Sequence, residues 1–588
     1  MSAATSLPLA GLLPLVVLLP LGIAAALLAV SHWLPARFIE LSALATSLSV
    51  AAACARLAQA GLTGPIVQWM GGWAPAASGR SGVVLGVSFA ADPTSAALAA
   101  FAALLFALAF VFAWGEFDDT HGHFHVLMLL FLAALAGFCL TQDLFNLFVW
   151  FELMSVAAFA LTAYPLGKSS LEGALNFTIT NALGSFLMLA GIGLLYARTG
   201  TLDMATMGRM VMHLSGDPVV AAGFCMIAAA LLTKGAIVPF HLWLSDAHTV
   251  APAAVSVTFS GAMVSVALFG LAKLLAKVFL GNAQLAHLSQ EFLAPLGIAT
   301  AILGALMTWA QRHLKRLLAF STISHMGVVV LAIATLRPAG LAGLLVYIIG
   351  HGLVKGALFM LAGMLLALRA SGDEIILYRR GRGLGMAAPA MLLAALLFCN
   401  VPWGLLHRGE DLIAAADADA TTRLVLSLAT ALTGAAILRA ALRIFFGCSG
   451  VPGVERAAPS EPEHEKAQRP LWVMQLSCWI LLGLAVLPGG SLVAFARAAA
   501  QQLLPVTPSA AALSGESSSI AALLFVVAVL AAALLRVRPV RPLMRAVARG
   551  EGRLFGALQG LHSGLVGDYV VWMLLGLAAL IVCAQLLG

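Results

Sequence analysis

Charged residues are scarce in this sequence of 588 residues, since Lys, Arg, Asp and Glu together make up only 10% of it. A soluble domain carries about a quarter charged residues, so the composition excludes a large soluble protein. Hydrophobic residues instead reach 62%. Apolar runs of about 20 residues, the length that crosses a bilayer as a helix, recur along the chain. The sequence predicts an all-α integral membrane protein with about 14–16 transmembrane helices.

Cysteine is also rare, with 7 residues and no Cys-x-x-Cys pair. We interpret these cysteines as small buried hydrophobic residues, so neither a disulfide framework nor a metal centre is expected. No flavin, iron–sulfur or nucleotide motif is present, so we expect no cofactor and no redox chemistry in this chain alone. His121, His123 and His125 have a spacing that could ligate a metal. Without a second cluster, a solvated loop is the expected structure.

A basic segment and a cleavage site are missing around the first apolar run, Leu7 to Val30. This run is therefore expected to be a membrane span, not a cleaved signal peptide. The net charge of +7 does not indicate nucleic acid binding, because the basic residues cluster in alternate loops. That pattern is the positive-inside signature. In a bacterial inner membrane it predicts cytoplasmic basic loops and periplasmic termini, with the lipid bilayer as the surrounding partner.

Against this apolar background, residues 231–248 (LLTKGAIVPFHLWLSDAH) carry Lys234 and Pro239. A lysine at bilayer depth is costly unless it faces a protein or water cavity, so it marks a functional site by default. Pro239 removes a backbone donor and should break the helix. A broken helix beside a buried charge is a common way to build an ion site in transporters. The alternative is a snorkelling lysine beside an ordinary proline kink.

Ionisable residues in other apolar runs are candidate partners for Lys234. Glu152 lies in the middle of the span at 143–161 and is expected to pair with Lys234. The alternative is a carboxyl held neutral by a local hydrogen bond. His351 and Lys355 are four residues apart and share a helix face, which indicates a proton path. A satisfied core histidine beside a structural lysine is the alternative. His325 lies in the span that precedes the one carrying His351 and Lys355.

A second interrupted run, FCNVPWGLLHRGEDL at 398–412, contains proline, glycine and following charges. Two broken helices are typical of internal inverted repeats, and we predict that spans four to eight repeat as spans nine to thirteen. A short strand is expected in 82–89 because its residues alternate. The predicted divisions are an N-terminal hairpin with an outside loop (1–91), the repeat-containing core (92–450), a polar cytoplasmic linker (451–470) and C-terminal helices (471–588) with an interfacial amphipathic helix at 539–566.

Several of these stretches together resemble the antiporter-like membrane subunits of respiratory complex I, Mrp-type cation/proton antiporters and energy-conserving hydrogenases. The matching segments are Trp150-Phe151-Glu152, Lys234 through PFHLWLSDAH with APAAVS, KRLLAFSTISHMG, His351-Gly-Leu-Val-Lys355, ALRIFFG at 441–447 and the ending LHSGLVGDYVVWMLLG. The resemblance covers residues 90–450 best.

The resemblance implies that Glu152 and Lys234 form a modulating ion pair and that Lys355 and His351 belong to a central relay. Pro239 and Pro402 would then mark the two discontinuous helices. The sequence departs from the family at Ser260 and Ser265, where many members carry a lysine or histidine. In the second broken run, alignment on Gly404 places Arg408 at the family's exit lysine, and alignment on Pro402 places Glu410 there. An arginine hardly deprotonates, so a proton path favours Glu410.

The resemblance implies a proton-translocating subunit that works with other membrane and peripheral subunits of a respiratory-type complex, which supply the driving force by electron transfer. Two alternatives stay open within the family. One is a subunit of a Mrp-type antiporter that moves Na⁺ as well as H⁺. The other is the membrane subunit of an inorganic-carbon uptake complex. A scaffold that only docks its partners is a third hypothesis from a different class.

Overall fold

The computed structural model describes residues 9–74, 86–117, 122–417, 419–447, 471–504 and 564–586, and these form helices almost throughout. Twelve of the described helices are long and apolar enough to cross a membrane, and a bent pair raises the number to 13. The two broken spans come in addition. The chain is therefore a multi-span membrane protein, and the all-α membrane fold is confirmed.

The chain begins with a helical hairpin and a small β-ribbon. Their bounds are α1 (Leu12–Val30), α2 (Ala36–Gly61), β1 (Ile66–Trp69) and β2 (Ser88–Ala91). The strands are antiparallel, with Ile66 paired to Ala91. The strand expected in 82–89 is found only from Ser88 onward, and the residues before Gly86 lie outside the described part of the chain.

Fourteen helices make up the central region. They are α3 (Pro93–Phe112), α4 (His123–Leu140), α5 (Leu144–Ala163), α6 (Lys168–Thr199), α7 (Met204–Val211), α8 (Pro218–Lys234), α9 (Leu242–Val250), α10 (Ala253–Phe279), α11 (Ala283–Ala310), α12 (Leu314–Ala334), α13 (Pro338–Arg369), α14 (Ala387–Phe398), α15 (Leu405–Ala416) and α16 (Ala420–Phe446). The loop expected around the histidine run is wrong for His123 and His125, because α4 begins at His123. His125 is buried and stacks on Phe110, with 5.6 Å between ring centroids. His121 lies outside the described residues.

The central region contains two consecutive blocks, α4–α10 and α11–α16, which contain helices of matching length. Helices α6 and α13 each have 32 residues, and α10 and α16 each have 27. Both α10 and α16 end in a five-residue π-helical segment. An isolated antiparallel bridge precedes α5 (Asp143 to Asp203), and another precedes α12 (His313 to Asp373). The matching element order and helix lengths are the pattern that an internal repeat gives.

The breaks predicted at the two prolines are present in the corresponding helices of the two blocks. The first separates α8 from α9 at residues 235–241, and the second separates α14 from α15 at residues 399–404. In the first break Ala236 has φ of +55° and the Val238–Pro239 bond is cis. In the second break Asn400 has φ of +57° and Gly404 has φ of +100°. The positive φ angles of Ala236, Asn400 and Gly404 lie outside the helical region, so regular helix cannot continue through these residues.

The most apolar stretches of α12 and α13, two helices of the second block, are fully buried among other helices. Glycines allow α13 and α15 to approach closely. A Cβ atom at Gly350 would lie 2.5 Å from the Leu406 nitrogen, and one at Gly409 would lie 2.5 Å from the Tyr347 nitrogen. No larger residue fits at either position without moving a helix, so these two glycines set the distance between α13 and α15.

Three described helices follow the core. They are α17 (Leu471–Val486), α18 (Gly490–Leu503) and α19 (Val566–Leu586). Helices α17 and α18 are bent by 70° at the short break between them. The predicted linker at 451–470 and most of the amphipathic segment at 539–566 lie outside the described residues, so those two predictions stay as they are.

Candidate functional site

Lys234 is the last residue of α8, and its side chain is 0% exposed. Its Nζ atom donates to the Ser155 hydroxyl on α5 at 2.7 Å. The rings of Phe151, Phe159 and Phe177 surround it, with centroids 4.8, 5.7 and 5.6 Å from Nζ. Ring faces carry negative charge density, so they attract an ammonium group without neutralising it. This arrangement holds a lysine in the protein interior against a neutral hydroxyl and three aromatic rings.

Glu152, the predicted partner of Lys234, lies one helical turn before Ser155 on α5. It is within electrostatic reach of Lys234, but no direct ion pair between the two is found among the described residues. Its Oε1 atom is buried and has no hydrogen-bond partner in the described part of the chain. Glu152 also lies on the outward stripe of α5 that exposes Val149 and Val156. The carboxylate therefore borders the surface of this chain, with one oxygen turned inward.

The short helix α9 fixes the end of α8 from across the break. The Trp243 indole nitrogen donates to the Thr233 carbonyl at 2.8 Å. The same indole stacks on Phe177, with 4.3 Å between centroids and 5° between planes. Because Thr233 precedes Lys234 and Phe177 faces its ammonium group, Trp243 contacts two neighbours of the lysine at once. Sequence reasoning missed this role, since a tryptophan in an apolar helix looks like ordinary core.

His248, also on α9, is within electrostatic reach of Lys355 and was not predicted from the sequence. It is 0% exposed, and neither ring nitrogen has a hydrogen-bond partner among the described residues. Its ring stacks on Phe359, one helical turn beyond Lys355, with 4.8 Å between centroids. It also packs edge-on against Phe259, which contacts Phe177. The buried groups of the two blocks are thereby joined through one histidine and a row of aromatic rings.

Lys355, in the middle of α13, repeats the chemistry of Lys234. It is 0% exposed, and its Nζ donates to the Leu318 carbonyl at 2.7 Å and to the Ser321 hydroxyl, both on α12. The Phe398 ring at the end of α14 lies 5.2 Å from Nζ. No carboxylate pairs with this ammonium group among the described residues. Within that part of the chain, Lys234 and Lys355 are thus fully buried lysines whose hydrogen bonds go to neutral oxygens.

His325 and His351 are both within electrostatic reach of Lys355, with 5.3 Å between their ring centroids. Both are 0% exposed. His325 bridges the Tyr347 hydroxyl (Nδ1 to O, 2.5 Å) and the Thr433 hydroxyl (Nε2 to O, 3.1 Å). The two ring nitrogens of His351 have no partner in the described part of the chain. Buried polar atoms are normally satisfied by protein or water, so water between these rings is the expected link.

The helix after the second break, α15, carries both candidates for the end of the relay, and they lie on different faces of it. Arg408 is exposed on α15, whereas Glu410 is only 4% exposed. Glu410 follows Gly409, which packs on the backbone of Tyr347, so Glu410 lies at the α13 interface that also holds His351. One oxygen of Glu410, Oε2, has no hydrogen-bond partner among the described residues. Of the two candidates, Glu410 is therefore the one that faces the protein interior, and Arg408 faces outward.

A further polar group at this break was not predicted. His407 contacts the Asn400 amide oxygen through Nδ1 at 2.9 Å and Asp411 through Nε2 at 3.1 Å. Asn400 is the residue whose positive φ ends α14. The signal for this cluster was present in the sequence as charges after a proline, but its pairing depends on the turn that brings Asn400 beside α15.

The departures at Ser260 and Ser265 are resolved into two different contacts. Ser260 lies in a π-helical segment, Phe259–Met263, and exchanges a hydrogen bond with Thr322 on α12 at 2.7 Å. Ser265 contacts the Met326 sulfur at 3.6 Å. Both serines are 0% exposed. A π-helical turn within a helix often marks a functional position, and this one faces the helix that carries Ser321 and His325.

Two more lysines on α10 form a separate group at the other end of that helix. Lys273 is 1% exposed and donates to the Cys139 and Thr141 carbonyls at 2.7 and 2.6 Å, which satisfies the end of α4. Lys277 lies 3.7 Å from Asp92, the residue before α3. Burial opposes ionisation of Asp92, but Lys277, Lys273 and hydrogen bonds from Ser95 together hold its pKa below the ordinary value. We interpret Lys273 as a helix-terminus anchor.

The site as a whole is a set of ionisable and hydroxyl groups within the apolar helices, from Glu152 on α5 to Glu410 on α15. Such residues within membrane spans mark ion or proton pathways. The two broken helices contribute Lys234 and Glu410, and broken helices build the ion sites of secondary transporters. The fold and the site therefore define a polytopic membrane protein of the ion-translocating class.

Comparison with known proteins gives the family. Residues 141–435 match the family model described as NADH:quinone oxidoreductase/Mrp antiporter, transmembrane. NADH-quinone oxidoreductase subunit N of Desulforudis audaxviator is 34% identical over 356 residues, which cover 59% of this chain and 69% of that protein. A Na⁺/H⁺ antiporter subunit of Bacillus subtilis is 28% identical over 344 residues, 57% of this chain and 67% of that protein.

The fold agrees with this match. A chain in the structure of the Mrp complex from Dietzia sp. superposes with a TM-score of 0.71 at 23% identity, and the match covers 88% of this chain and 99% of that one. The protein belongs to the NADH:quinone oxidoreductase/Mrp antiporter membrane-subunit family, so the resemblance seen in the sequence is confirmed.

Proposed function

We propose that this chain is the proton-translocating, antiporter-like subunit of a complex I-type or hydrogenase-type membrane complex. The observation that carries the proposal is the pair of fully buried lysines, Lys234 and Lys355, whose ammonium groups contact neutral oxygens and ring faces in the described part of the chain. Burial disfavours the charged form of a lysine, and a nearby ionised carboxylate favours it. Each lysine is therefore poised to exchange its proton when the charge near it changes.

The transfer steps follow from the contacts. While Glu152 is ionised, Lys234 holds its proton. When Glu152 is protonated or moves away, Lys234 releases the proton through water toward His248 and then Lys355, and it becomes neutral. Lys355 passes its proton to His351 and His325, whose nitrogens can both accept and donate. Glu410 takes the proton and releases it to the aqueous phase on its own side of the membrane, and Lys234 is reprotonated from the aqueous phase on the opposite side. No step changes the oxidation state of any group in this chain.

The driving force in this proposal comes from electron transfer in partner subunits. The relatives are subunits of multi-subunit complexes by their names, which supports other membrane and peripheral subunits as partners of this chain. We further propose the bacterial inner membrane as the location, with both termini in the periplasm, because the basic loops alternate along the chain. The division into an N-terminal hairpin (1–91), a core (92–450), a linker (451–470) and C-terminal helices (471–588) is part of the same proposal.

The end of the relay is tested by two neutral substitutions. Glu410→Gln should lower the translocation rate about tenfold or more, because an amide cannot accept and release the proton. Arg408→Gln, on the exposed face of the same helix, should keep the rate within about a factor of two. Dye-monitored acidification of proteoliposomes with the purified complex measures both. An Arg408→Gln loss equal to that of Glu410→Gln would place the exit on the other face of α15.

The transported ion is tested in the same proteoliposomes. The similarity to a Na⁺/H⁺ antiporter subunit makes Na⁺/H⁺ exchange the second candidate function. With H⁺ as the only ion, acidification needs an electron donor and has the same rate with Na⁺ or K⁺ as the salt. Proton flux that starts on addition of Na⁺ without any electron donor would establish the antiporter alternative. Identification of the co-purified subunits by mass spectrometry gives the complex.

A further inference from the structure

The last described helix, α19, packs along α8 and reaches α9 across the break. A Cβ atom at Gly576 would lie 2.6 Å from the Phe240 ring and 2.7 Å from Pro239, so the glycine permits close contact with the break itself. Farther along, the Leu580 carbonyl accepts from the Cys225 thiol on α8 at 3.7 Å. Near its start, Tyr569 reaches α9. The helix therefore spans the interruption from one side to the other.

Tyr569 contacts α9 at a single carboxylate. It is 1% exposed, and its hydroxyl donates to Asp246 Oδ2 at 2.7 Å. The Asn176 amide on α6 donates to the same oxygen at 3.1 Å and also to the Gly564 carbonyl just before α19 at 3.3 Å. Arg316 at the start of α12 lies 3.8 Å from the other oxygen of Asp246. Asp246 thus joins four helices at one point, and hydrogen bonds to a charged group are among the stronger ones.

A short series of contacts connects Asp246 to Lys234. Asp246 is three residues beyond Trp243 on α9, so the two lie about one turn apart on the same rigid helix. Trp243 holds the Thr233 carbonyl beside Lys234 and stacks on Phe177, whose ring faces the ammonium group. Asn176, the second donor to Asp246, is the neighbour of Phe177 in α6. A shift of Asp246 therefore moves two of the groups that enclose Lys234.

We propose that Tyr569 is a positioning residue for Lys234, and that α19 straps the broken helix of its own chain through the Tyr569–Asp246 hydrogen bond. The proposal rests on the proposed function, since it concerns the proton-carrying lysine. It assigns the C-terminal helix a role in setting the geometry of a site on α9, which lies 323 residues earlier in the sequence. The hydroxyl of Tyr569 does not touch the proton path, so it acts only through α9.

The first experiment removes that hydroxyl and keeps the ring. In the full complex in proteoliposomes, Tyr569→Phe should lower the translocation rate about threefold to tenfold, the effect of one ordinary net hydrogen bond, because Asn176 and Arg316 still contact Asp246. It should also change the pH dependence of the rate, which a merely structural role would leave alone. Tyr196→Phe is the matched control, because Tyr196 is 49% exposed. It should behave as the unmodified complex.

A double variant shows whether Tyr569 acts through Trp243. If it does, Tyr569→Phe combined with Trp243→Phe should be no slower than Trp243→Phe alone, whereas independent effects would multiply. A Tyr569→Phe complex with an unchanged rate and pH profile overturns the inference. That result would leave the proposed function intact, provided that the Lys234→Met complex is inactive. An active Lys234→Met complex would instead remove the proposed function, and the inference with it.

The second experiment tests whether the strap works within one chain. Cys225 on α8 and Cys583 on α19 lie close enough to interact electrostatically, so a short thiol-directed bifunctional crosslinker should join them within the chain. Peptide mapping by mass spectrometry of the full complex detects the product. Cys225→Ser is the control and should give no such product. A crosslink from Cys583 to another subunit, or none with Cys225, would show that α19 packs elsewhere and overturn the proposal.

Discussion

Replacing Lys234 with methionine should reduce proton translocation about a hundredfold, the scale on which a positioned proton-transfer group contributes to rate. Methionine fills nearly the same volume with an apolar side chain, and Ser155 stays satisfied by its bond to the Phe151 carbonyl. Removing a buried charge that makes no direct ion pair among the described residues should not destabilise the fold. The complex should therefore assemble normally and fail only in transport, measured by dye acidification in proteoliposomes with electron donor present.

Lys168→Met is the matched control, because Lys168 is an exposed lysine at the start of α6. It should translocate at the unmodified rate. The scaffold hypothesis makes the opposite prediction for Lys234→Met: transport stays intact while assembly of the complex depends on the chain. Full pumping by Lys234→Met, in a complex of normal subunit composition, would therefore contradict a proton role and support a scaffold.

Replacing Lys355 with methionine should cause a loss of about the same size, a hundredfold or more, because in the proposed route Lys355 is the protonatable group between His248 and His351. Ser321 would lose its donor but keep its own bond to the Leu318 carbonyl at 2.9 Å. A second variant, Ser321→Ala, removes one neutral oxygen from Lys355 and should slow transport only severalfold, since the Leu318 carbonyl is still available.

The relative size of the two losses in translocation rate distinguishes a proton carrier from a structural residue. If the Lys355→Met complex is inactive and the Ser321→Ala complex is partly active, the lysine carries the proton and the serine orients it. Equal losses would indicate that α12 and α13 have simply separated, which tryptophan fluorescence and the subunit composition of the purified complex would reveal. An active Lys355→Met complex would break the relay at its centre and contradict the proposed proton route.

The broken helices could be predicted because charged residues and proline are unusual within apolar runs. In a chain that is 62% hydrophobic, a lysine and a proline within one apolar run stand out, and both breaks are found where the prolines predicted them. His325, His351 and Lys355 could be grouped for a similar reason. The i, i+4 spacing of the last two fixes a shared face whatever the tertiary structure.

Other features of the site depend on contacts that no local pattern encodes. Ser155 holds Lys234, but a hydroxyl in a membrane helix is too common to single out. From the sequence, the choice between Arg408 and Glu410 depended on whether the run was aligned on Gly404 or on Pro402. The two residues differ only in the folded chain, where Glu410 is buried and Arg408 is exposed. The packing of α19 on α9 joins residues 323 positions apart, so periodicity carries no information about it.

The enclosure of α12 and α13 by other helices has a consequence for the membrane in which the protein works. A bilayer that is thicker or thinner than the apolar spans makes the helices it touches tilt. Lipid tails reach the outer helices, which expose residues such as Phe186 and Val156, but they do not reach α12 or α13. The spacing between Lys355, His351 and His325 is therefore shielded from changes in lipid chain length, and one relay geometry suits membranes of different thickness.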